Sequence, residues 1–170
     1  MSADQGFAPS VREGVAWQTV LRLWIPGVAV PQGSKQAFLR PGAKIPQLVD
    51  SNKQKLKPWR ATVTAIAIDE WQGRMSLDEP VRAAFEFVTV RPAAHYGTGR
   101  NAEVLKPSAP IAPIVKPDVD KLVRAMLDGL TDAGVLRDDS RVVDLHARKV
   151  YGTQPGVRVW VQTARKETTT

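Results

Sequence analysis

The order of periodic segments constrains the fold of this chain more than any other feature of its sequence. Alternation with a period of two predicts strands, and apolar residues at steps of three and four predict amphipathic helices. Residues 58–71 and a segment from Asp118 to Gly134 follow the helical pattern, and Pro58 suits a first helical turn. The Gly152–Pro155 segment reads as a hairpin-like turn. Strand patterns cover residues 19–25, 81–90, 141–151 and 156–162. This order predicts a single α+β domain with a mixed β-sheet packed by two main helices.

A length of 170 residues fits one domain with its own hydrophobic core. We expect a flexible N-terminal arm over residues 1–15, a folded domain over residues 16–164 and a disordered tail over residues 165–170. The absence of cysteine excludes a disulfide scaffold, a cysteine nucleophile and a thiolate zinc site. With only two histidines, a metal site has to be built mainly from carboxylates, which favour Mg²⁺ or Mn²⁺.

The charge balance is strongly basic, with 24 Lys and Arg against 17 Asp and Glu and a net charge of +7. Such a balance favours a polyanionic partner, either nucleic acid or an anionic membrane surface. No apolar run approaches the roughly 18 residues of a membrane span. The first residues also lack the apolar core of a signal peptide. We therefore expect a cytoplasmic protein that binds neither a membrane nor a nucleotide cofactor.

Two basic segments are candidates for contacts with a nucleic acid. Residues 35–60 hold seven Lys or Arg with only Asp50 opposing them, and the long Pro-rich loop 91–116 is also basic. Phosphate contacts of this kind hold DNA without reading its sequence. The alternative is that each segment is only a solvated surface. The candidate DNA-binding residues are Lys35, Arg40, Lys53, Lys55, Arg100 and Lys106.

Acidic residues are clustered between residues 118 and 144 of this basic chain. Pro117 disfavours helical geometry in the residue before it, so the chain reaches Asp118 in an extended conformation. Carboxylates two residues apart, such as those of Asp118 and Asp120, project together from an extended segment. At 4–5 Å they repel by roughly 3–4 kcal/mol at an effective dielectric constant of 20, and a bound divalent cation removes this cost. The alternative is an N-cap aspartate and a first-turn aspartate with no bound ion.

A second acidic pair, Asp138 and Asp139, follows the second helix. The helix spans roughly 20 Å. Residues 135–139 cover at most about 17 Å, so an antiparallel return could bring Asp139 close to the start of the helix. A partner subunit is the other possible source of a third acid. The simplest alternative is a polar turn that leads into the next strand.

Arg124 lies four residues after Asp120 and four before Asp128. It can contact a phosphate, or it can form an ordinary ion pair on the helix surface. His95 and His146 are too few and too far apart in sequence to predict a zinc site, and we expect them in loops or on the surface.

Residues 116–143, KPDVDKLVRAMLDGLTDAGVLRDDSRVV, resemble the signature of the Rus-type (RusA-like) Holliday junction resolvases, which are often carried by phages and prophages. That signature reads Asp-x-Asp-Asn/Lys-Leu, then Lys or Arg, then Leu-Asp-x-Leu, then a turn and Asp-Asp. The spacing agrees throughout the 28 residues. The resemblance implies a homodimer with a mixed sheet and two active sites that cut opposite strands of a four-way junction.

The resemblance also implies roles for individual residues. Carboxylates at the positions of Asp118, Asp120 and Asp139 bind Mg²⁺ in that family and are needed for cleavage, and Asp138 is a second candidate for the third ligand. A basic residue on the same helix, usually Lys, aids catalysis, and here it is Arg124. Because the arginine pKa exceeds about 12, Arg124 can stabilise charge but cannot donate a proton at neutral pH.

The expected function is a Mg²⁺-dependent, structure-selective endodeoxyribonuclease that resolves Holliday junctions in DNA recombination and repair. It would make paired symmetric nicks and leave 5′-phosphate and 3′-hydroxyl ends. One alternative is a Mg²⁺-dependent nuclease that acts on flaps or forks. Others are a non-catalytic DNA-binding module, which gains nothing from carboxylates aimed at phosphates, and a structural phage protein.

Overall fold

The computed structural model describes residues 15–33, 35–38, 47–50 and 53–166. Residues 1–14 of the predicted arm, residue Arg40 and residues 167–170 of the predicted tail lie outside this part. The two helices are α1 (Lys53–Trp71) and α2 (Val119–Asp132). The strands are β1 (Val15–Pro26), β2 (Lys35–Phe38), β3 (Gln47–Asp50), β4 (Val81–Val90), β5 (Val142–Gly152) and β6 (Gly156–Lys166).

Four strands form one mixed sheet in the order β1-β6-β4-β5. β6 pairs antiparallel with both β1 and β4, and β5 pairs parallel with β4. The predicted α+β domain with a mixed sheet and two helices is therefore confirmed. β2 and β3 form a separate two-stranded antiparallel sheet. β6 continues through Lys166, so the first two residues of the predicted tail belong to the sheet.

The connection at Gly152–Pro155 is not a hairpin turn, and that prediction is wrong. β4 lies between β5 and β6, so the connection crosses the end of β4 instead of joining paired neighbours. A Cβ atom on Gly152 would lie 2.5 Å from Cγ1 of Val88, and glycine permits this close crossing. Turn residues look alike in both arrangements, which is why the local pattern suggested a hairpin.

Both helices pack on one face of the sheet and form a single core with it. The alternation of β4 predicts one face made of Val81, Ala83, Phe85, Phe87 and Thr89. The first four are buried in this core, and Thr89 is exposed. The two helices approach each other closely at Val63 and Gly129. A Cβ atom on Gly129 would lie 2.6 Å from Cγ1 of Val63, so the glycine sets the distance between the helices.

α1 begins at Lys53 rather than at Pro58, which places the proline inside the helix and not in its first turn. Proline cannot donate a backbone hydrogen bond, and its ring crowds the preceding turn. Leu56 and Trp59 are nevertheless buried in the core. Their packing stabilises the additional turn, and local helix preference alone does not predict it.

α2 runs antiparallel to β4 and β5. Its N-terminal end lies at the carboxyl ends of these strands, where Nζ of Lys149 donates to the carbonyl oxygens of Val115 and Pro117. Beyond its C-terminal end, Leu136 pairs with Leu77 just before β4 begins. The residues before and after α2 therefore lie at opposite ends of the sheet. In the described part of the chain, no helix is long and apolar enough to cross a membrane.

Candidate active site

Asp118 is the N-cap residue of α2, as the sequence predicts. Its backbone is extended, with φ −70° and ψ 140°, and its carbonyl oxygen accepts a hydrogen bond from the backbone N–H of Leu122 at 3.2 Å. The side chain makes no capping hydrogen bond and is about half exposed. Oδ2 lies 3.1 Å from Nζ of Lys121. The carboxylate is thus held next to a cation at the surface and is not used to cap the helix.

Asp120 lies in the first turn of α2 and is exposed. The helix dipole stabilises a carboxylate at this position. The opposite side of α2 carries buried residues that fix the helix on the sheet, among them Leu122, Val123 and Met126. The amphipathic pattern of α2 therefore presents Asp118 and Asp120 together at its exposed N-terminal end.

Lys149 fixes the segment that leads into Asp118. Its Nζ donates to the carbonyl oxygen of Val115 at 2.7 Å and to that of Pro117 at 3.0 Å. The β5 register places Lys149 opposite Phe87, on the same face of the sheet as the helices. This lysine was missed as a functional residue from the sequence. The available signal was a cation at an inward-facing position of a strand.

Arg124 is exposed on α2, and no ion pair among the described side chains includes it. The predicted alternative was an ion pair with Asp120 or Asp128. Asp128 instead lies 3.3 Å from Nη1 of Arg60 on α1, and Arg60 also binds Asp132 at 2.5 Å. The guanidinium of Arg124 is therefore available to a phosphate near the N-terminal half of α2.

Asp138 and Asp139 differ in what their carboxylates do. Asp138 is the N-cap of a 3₁₀ turn over Asp139–Arg141, and its Oδ1 accepts a hydrogen bond from the backbone N–H of Ser140 at 2.9 Å. Hydrogen bonds from the side chain and the backbone of Ser140 hold the pKa of Asp138 below its usual value. Asp139 is exposed and makes no capping bond. Of the two, only Asp138 uses its carboxylate to cap the turn.

The structure does not bring Asp139 to Asp118 within one chain. The chain after α2 runs along the residues before β4, and the following strand starts with Val142 paired to Val81. The segment before Asp118 is held at Lys149, which pairs with Phe87. Phe87 follows Val81 by six residue steps along β4, or about 20 Å. Accordingly, residues 15–33, 35–38, 47–50 and 53–166 contain no group of three or more His, Asp or Glu that could hold one metal ion.

Comparison with known proteins assigns the chain to a family. A sequence model described as Endodeoxyribonuclease RusA matches residues 27–162, which is most of the chain. The chain belongs to the RusA endodeoxyribonuclease family. It is also 40% identical over 52 residues to a Bacillus subtilis (strain 168) protein named Uncharacterized protein YqaN. That match covers 31% of this chain and 36% of the relative, so it spans about a third of the relative's length.

Membership of the RusA family confirms the resemblance that the α2 region predicts. The match begins at Gly27, directly after β1, and ends within β6, so it includes the whole α2 region. The two acidic motifs of this RusA-family chain thus lie on one folded unit, at opposite ends of α2.

The predicted DNA-binding residues of this RusA-family chain fall into two groups. Lys35 begins β2 and Lys53 begins α1, and their side chains lie outside the described part, as does all of Arg40. Lys55 is exposed on α1, near the N-terminal end of the helix.

Arg100 and Lys106 lie in the loop that leads to Asp118, and both are exposed. The loop has its own hydrogen bonds: Tyr96 pairs with Leu105, and Nζ of Lys106 donates to the carbonyl oxygen of Ala94 at 2.9 Å. Its basic side chains are therefore carried on an ordered loop that ends at the candidate site.

Proposed function

We propose that this RusA-family chain is a Mg²⁺-dependent endonuclease that resolves four-way DNA junctions as a homodimer in the bacterial cytoplasm. The observation that carries the proposal is the N-terminal end of α2, where Asp118 and Asp120 are exposed and the Asp118 carboxylate does not cap the helix. Because the family is one of endodeoxyribonucleases, these carboxylates are the natural candidates for its chemistry.

The donor set fits a hard divalent cation. Asp118 and Asp120 supply only oxygen atoms, which Mg²⁺ and Mn²⁺ prefer, and the chain has no cysteine. When bound there, Mg²⁺ would polarise the scissile phosphate and make a water molecule more nucleophilic at neutral pH. The protein's own role would be to hold the two carboxylates at the surface. Lys149 contributes to this role by fixing the segment before Asp118.

Arg124 is proposed to neutralise charge on the phosphate that is cut. It lies four residues after Asp120, so both side chains are on the same side of α2. A guanidinium presents several N–H donors to phosphate oxygens but keeps its protons at neutral pH. The proton that the leaving oxygen needs would therefore come from solvent and not from Arg124.

A dimer would supply the third carboxylate. Asp139 lies about 20 Å from the start of α2 along the sheet, so one chain does not unite the three acids. We infer that Asp139 of the partner subunit completes the site that contains Asp118. Apolar side chains just before Asp118 support a partner at this end of the molecule, since Ile111 is 95% exposed and Ile114 is 81% exposed.

Cleavage assays on a set of substrates test this function. Labelled four-way junction, flap, fork and plain duplex are incubated with Mg²⁺ or with EDTA. We expect symmetric nicks in the junction, with 5′-phosphate and 3′-hydroxyl ends. Asp118→Asn and Asp120→Asn should abolish cleavage and leave junction binding intact or tighter, because each removes a negative charge that faces the phosphates. Asp69→Asn, an exposed aspartate on α1, is the matched control and should cut normally.

The alternatives give different results in the same assays. A nuclease for flaps or forks would cut those substrates in preference to the junction. A non-catalytic module would bind DNA and cut none of the substrates at any Mg²⁺ concentration. Wild-type cutting by Asp118→Asn would contradict the site assignment itself.

A further inference from the structure

The outer face of the sheet, the side opposite α1 and α2, carries arginine and tryptophan side chains in a regular arrangement. The register of β1 and β6 pairs Arg22 with Trp160 and Trp24 with Arg158. The two residue types therefore alternate both along and across these strands. In the described part of the chain, both helices pack on the other side, so no helix covers the outer face.

The outer face has a surplus of positive charge. Glu86 is only 6% exposed and is paired with both Arg148 and Arg158. Arg82 is paired with Asp144 at 2.6 Å. Two acids thus face three arginines. The remaining outer-face arginine, at position 22, is exposed, and no ion pair among the described residues includes it. The face therefore keeps two positive charges after its internal pairs are formed.

A pocket of about 440 Å³ opens between these side chains. It is lined by both arginine–tryptophan pairs and by the β5–β6 connection at residues 152–154. This volume is in the range that small planar ligands occupy. Trp24 is 38% exposed, yet it is held in place because its ring covers Gly156, where a Cβ atom would lie 2.3 Å from Cη2. The guanidinium of Arg158 lies 5.5 Å from the centre of the Trp24 ring.

We propose that this outer face binds single-stranded DNA, with unpaired bases stacked on Trp24 and Trp160 and phosphates bound by Arg22 and Arg158. Aromatic rings on an open sheet, flanked by cations, are how proteins hold single strands without reading their sequence. The face is on the other side of the sheet from α2, so it is separate from the carboxylates of Asp118 and Asp120. Binding there does not depend on cleavage.

Charge favours DNA over a second copy of the chain as the occupant. A two-fold dimer formed through this face would set two positively charged surfaces against each other, which like-charge repulsion opposes. A single strand supplies one phosphate charge per nucleotide together with planar bases. It therefore matches both the surplus charge and the exposed ring of Trp24.

Fluorine NMR of the full chain, labelled with 5-fluorotryptophan, tests the proposal. The probe is an oligothymidine of about 12 nucleotides, added in EDTA so that no cleavage can occur. We expect the resonances of Trp24 and Trp160 to shift on titration. Trp59 and Trp71 are 7% and 4% exposed in the core on the helix side, and they serve as internal controls that should not shift. Shifts confined to these core tryptophans would overturn the proposal.

Variants supply a second measurement. Trp24→Leu and Arg22→Gln should each weaken oligothymidine binding, by about tenfold for the tryptophan, as measured by fluorescence anisotropy. Met75→Leu and Arg137→Gln change exposed residues outside this face and should bind as the wild type does. If Trp24→Leu does not fold, Arg22→Gln decides the question. Unchanged affinity in both outer-face variants, or a dimer that Trp24→Leu dissociates without affecting DNA affinity, would refute the proposal.

Discussion

Nζ of Lys149 donates a hydrogen bond to the carbonyl oxygen of Pro117 at 3.0 Å and so ties the end of β5 to the residue before Asp118. A second bond, to the carbonyl oxygen of Val115 at 2.7 Å, fixes the same segment. The position of the Asp118 carboxylate therefore depends on a strand that follows it in the sequence. We regard Lys149 as a positioning residue, since it acts on the candidate site through the backbone.

Lys149→Met should reduce junction cleavage and raise the Mg²⁺ concentration needed for half-maximal activity, because the segment before Asp118 loses both anchors. The free energy of unfolding should fall by about 1.5–3 kcal/mol, as expected for hydrogen bonds from a charged group. Measuring cleavage across a Mg²⁺ titration separates a displaced carboxylate from a simple loss of stability. Lys149→Arg keeps the charge and some donors and should recover part of the activity.

Ser76→Ala is the matched control for Lys149→Met. Oγ of Ser76 donates to the carbonyl oxygen of Gly134 at 2.7 Å, just beyond the C-terminal end of α2. Its loss should lower stability but leave the Mg²⁺ dependence unchanged. Equal Mg²⁺ dependence in Lys149→Met and the wild type would show that Lys149 has no role in positioning Asp118.

The folded state should lose stability in acid when the carboxylate of Asp78 becomes protonated. Hydrogen bonds from Arg141 and Arg137 hold its pKa below the usual value of 3.8. A carboxyl group whose pKa is lowered by folding stabilises the folded state above its unfolded pKa, and this contribution is lost as the pH falls through the folded pKa. The difference in unfolding free energy between wild type and Asp78→Asn should therefore be constant above about pH 5 and shrink below pH 3.8.

Chemical denaturation at a series of pH values measures this difference directly. Asp69→Asn changes an exposed aspartate on α1 and controls for the loss of a carboxylate as such. A difference that does not change with pH between 5 and 2 would show that the two arginines do not stabilise ionised Asp78. Because Arg141 belongs to the Asp139–Arg141 turn and Arg137 precedes it, Asp78→Asn should also loosen that turn.

Metal removal should abolish cleavage completely. Dialysis against EDTA followed by Mg²⁺ or Mn²⁺ should restore activity, and Zn²⁺ should not be required, because the candidate ligands are carboxylate oxygens. Isothermal titration with Mn²⁺ gives a readout that is independent of cutting, and Asp118→Asn should weaken that binding. Full activity after exhaustive EDTA treatment would contradict a metal-dependent mechanism.

Much of the fold could be predicted from the sequence because its signals are local. The strand at β4 and the amphipathic stripe of α2 were both predicted correctly, and the buried residues of α2 lie on one side of the helix. Burial of β4 on both faces was not predicted, because it depends on the neighbouring strands and their side chains. The early start of α1 could not be predicted, since it depends on contacts of Leu56 and Trp59 with the distant sheet. The Gly152–Pro155 connection was misread because strand order is not a local property.

Of the candidate site, only the placement of Asp118 and Asp120 could be predicted from the sequence. Asp118 and Asp120 are close in sequence, so their shared position at the helix start follows from the chain alone. The reach of residues 135–139 permitted an antiparallel return of Asp139, but pairing of Leu136 with Leu77 directs the chain elsewhere. For Lys149 the sequence offers only a cation at an inward-facing strand position, and its partners, which are backbone carbonyl oxygens, could not be identified from the sequence.

Junction binding should be strongly salt-dependent, since a chain of net charge +7 would hold DNA mainly through phosphates. With about six phosphate contacts, the affinity should fall roughly a thousandfold between 50 and 200 mM salt.

A cruciform in a supercoiled plasmid should yield linear product with little nicked circle, because a dimer makes both nicks in one binding event. A monomer in sedimentation that accumulates nicked circle would favour the flap or fork nuclease.

Mixed dimers test whether the active site is shared between subunits. Asp118→Asn and Asp139→Asn should each be inactive alone. If Asp139 of the partner subunit completes the site of Asp118, a dimer with one subunit of each kind has one site with both substitutions and one intact site. Co-expression at equal levels should then restore about one quarter of the wild-type nicking rate, since half of the dimers are mixed and each holds one working site.

The product of these mixed dimers carries further information. One working site cuts one strand, so the cruciform plasmid should accumulate as nicked circle rather than as linear DNA. Co-expression of Asp118→Asn with Asp120→Asn is the matched control, because both substitutions affect the same end of α2 and no site stays intact in a mixed dimer if both acids come from one chain. If each site instead took all its acids from one chain, the Asp118→Asn and Asp139→Asn mixture would stay inactive. Recovery in that mixture alone would therefore place the two acidic motifs of one active site on different subunits.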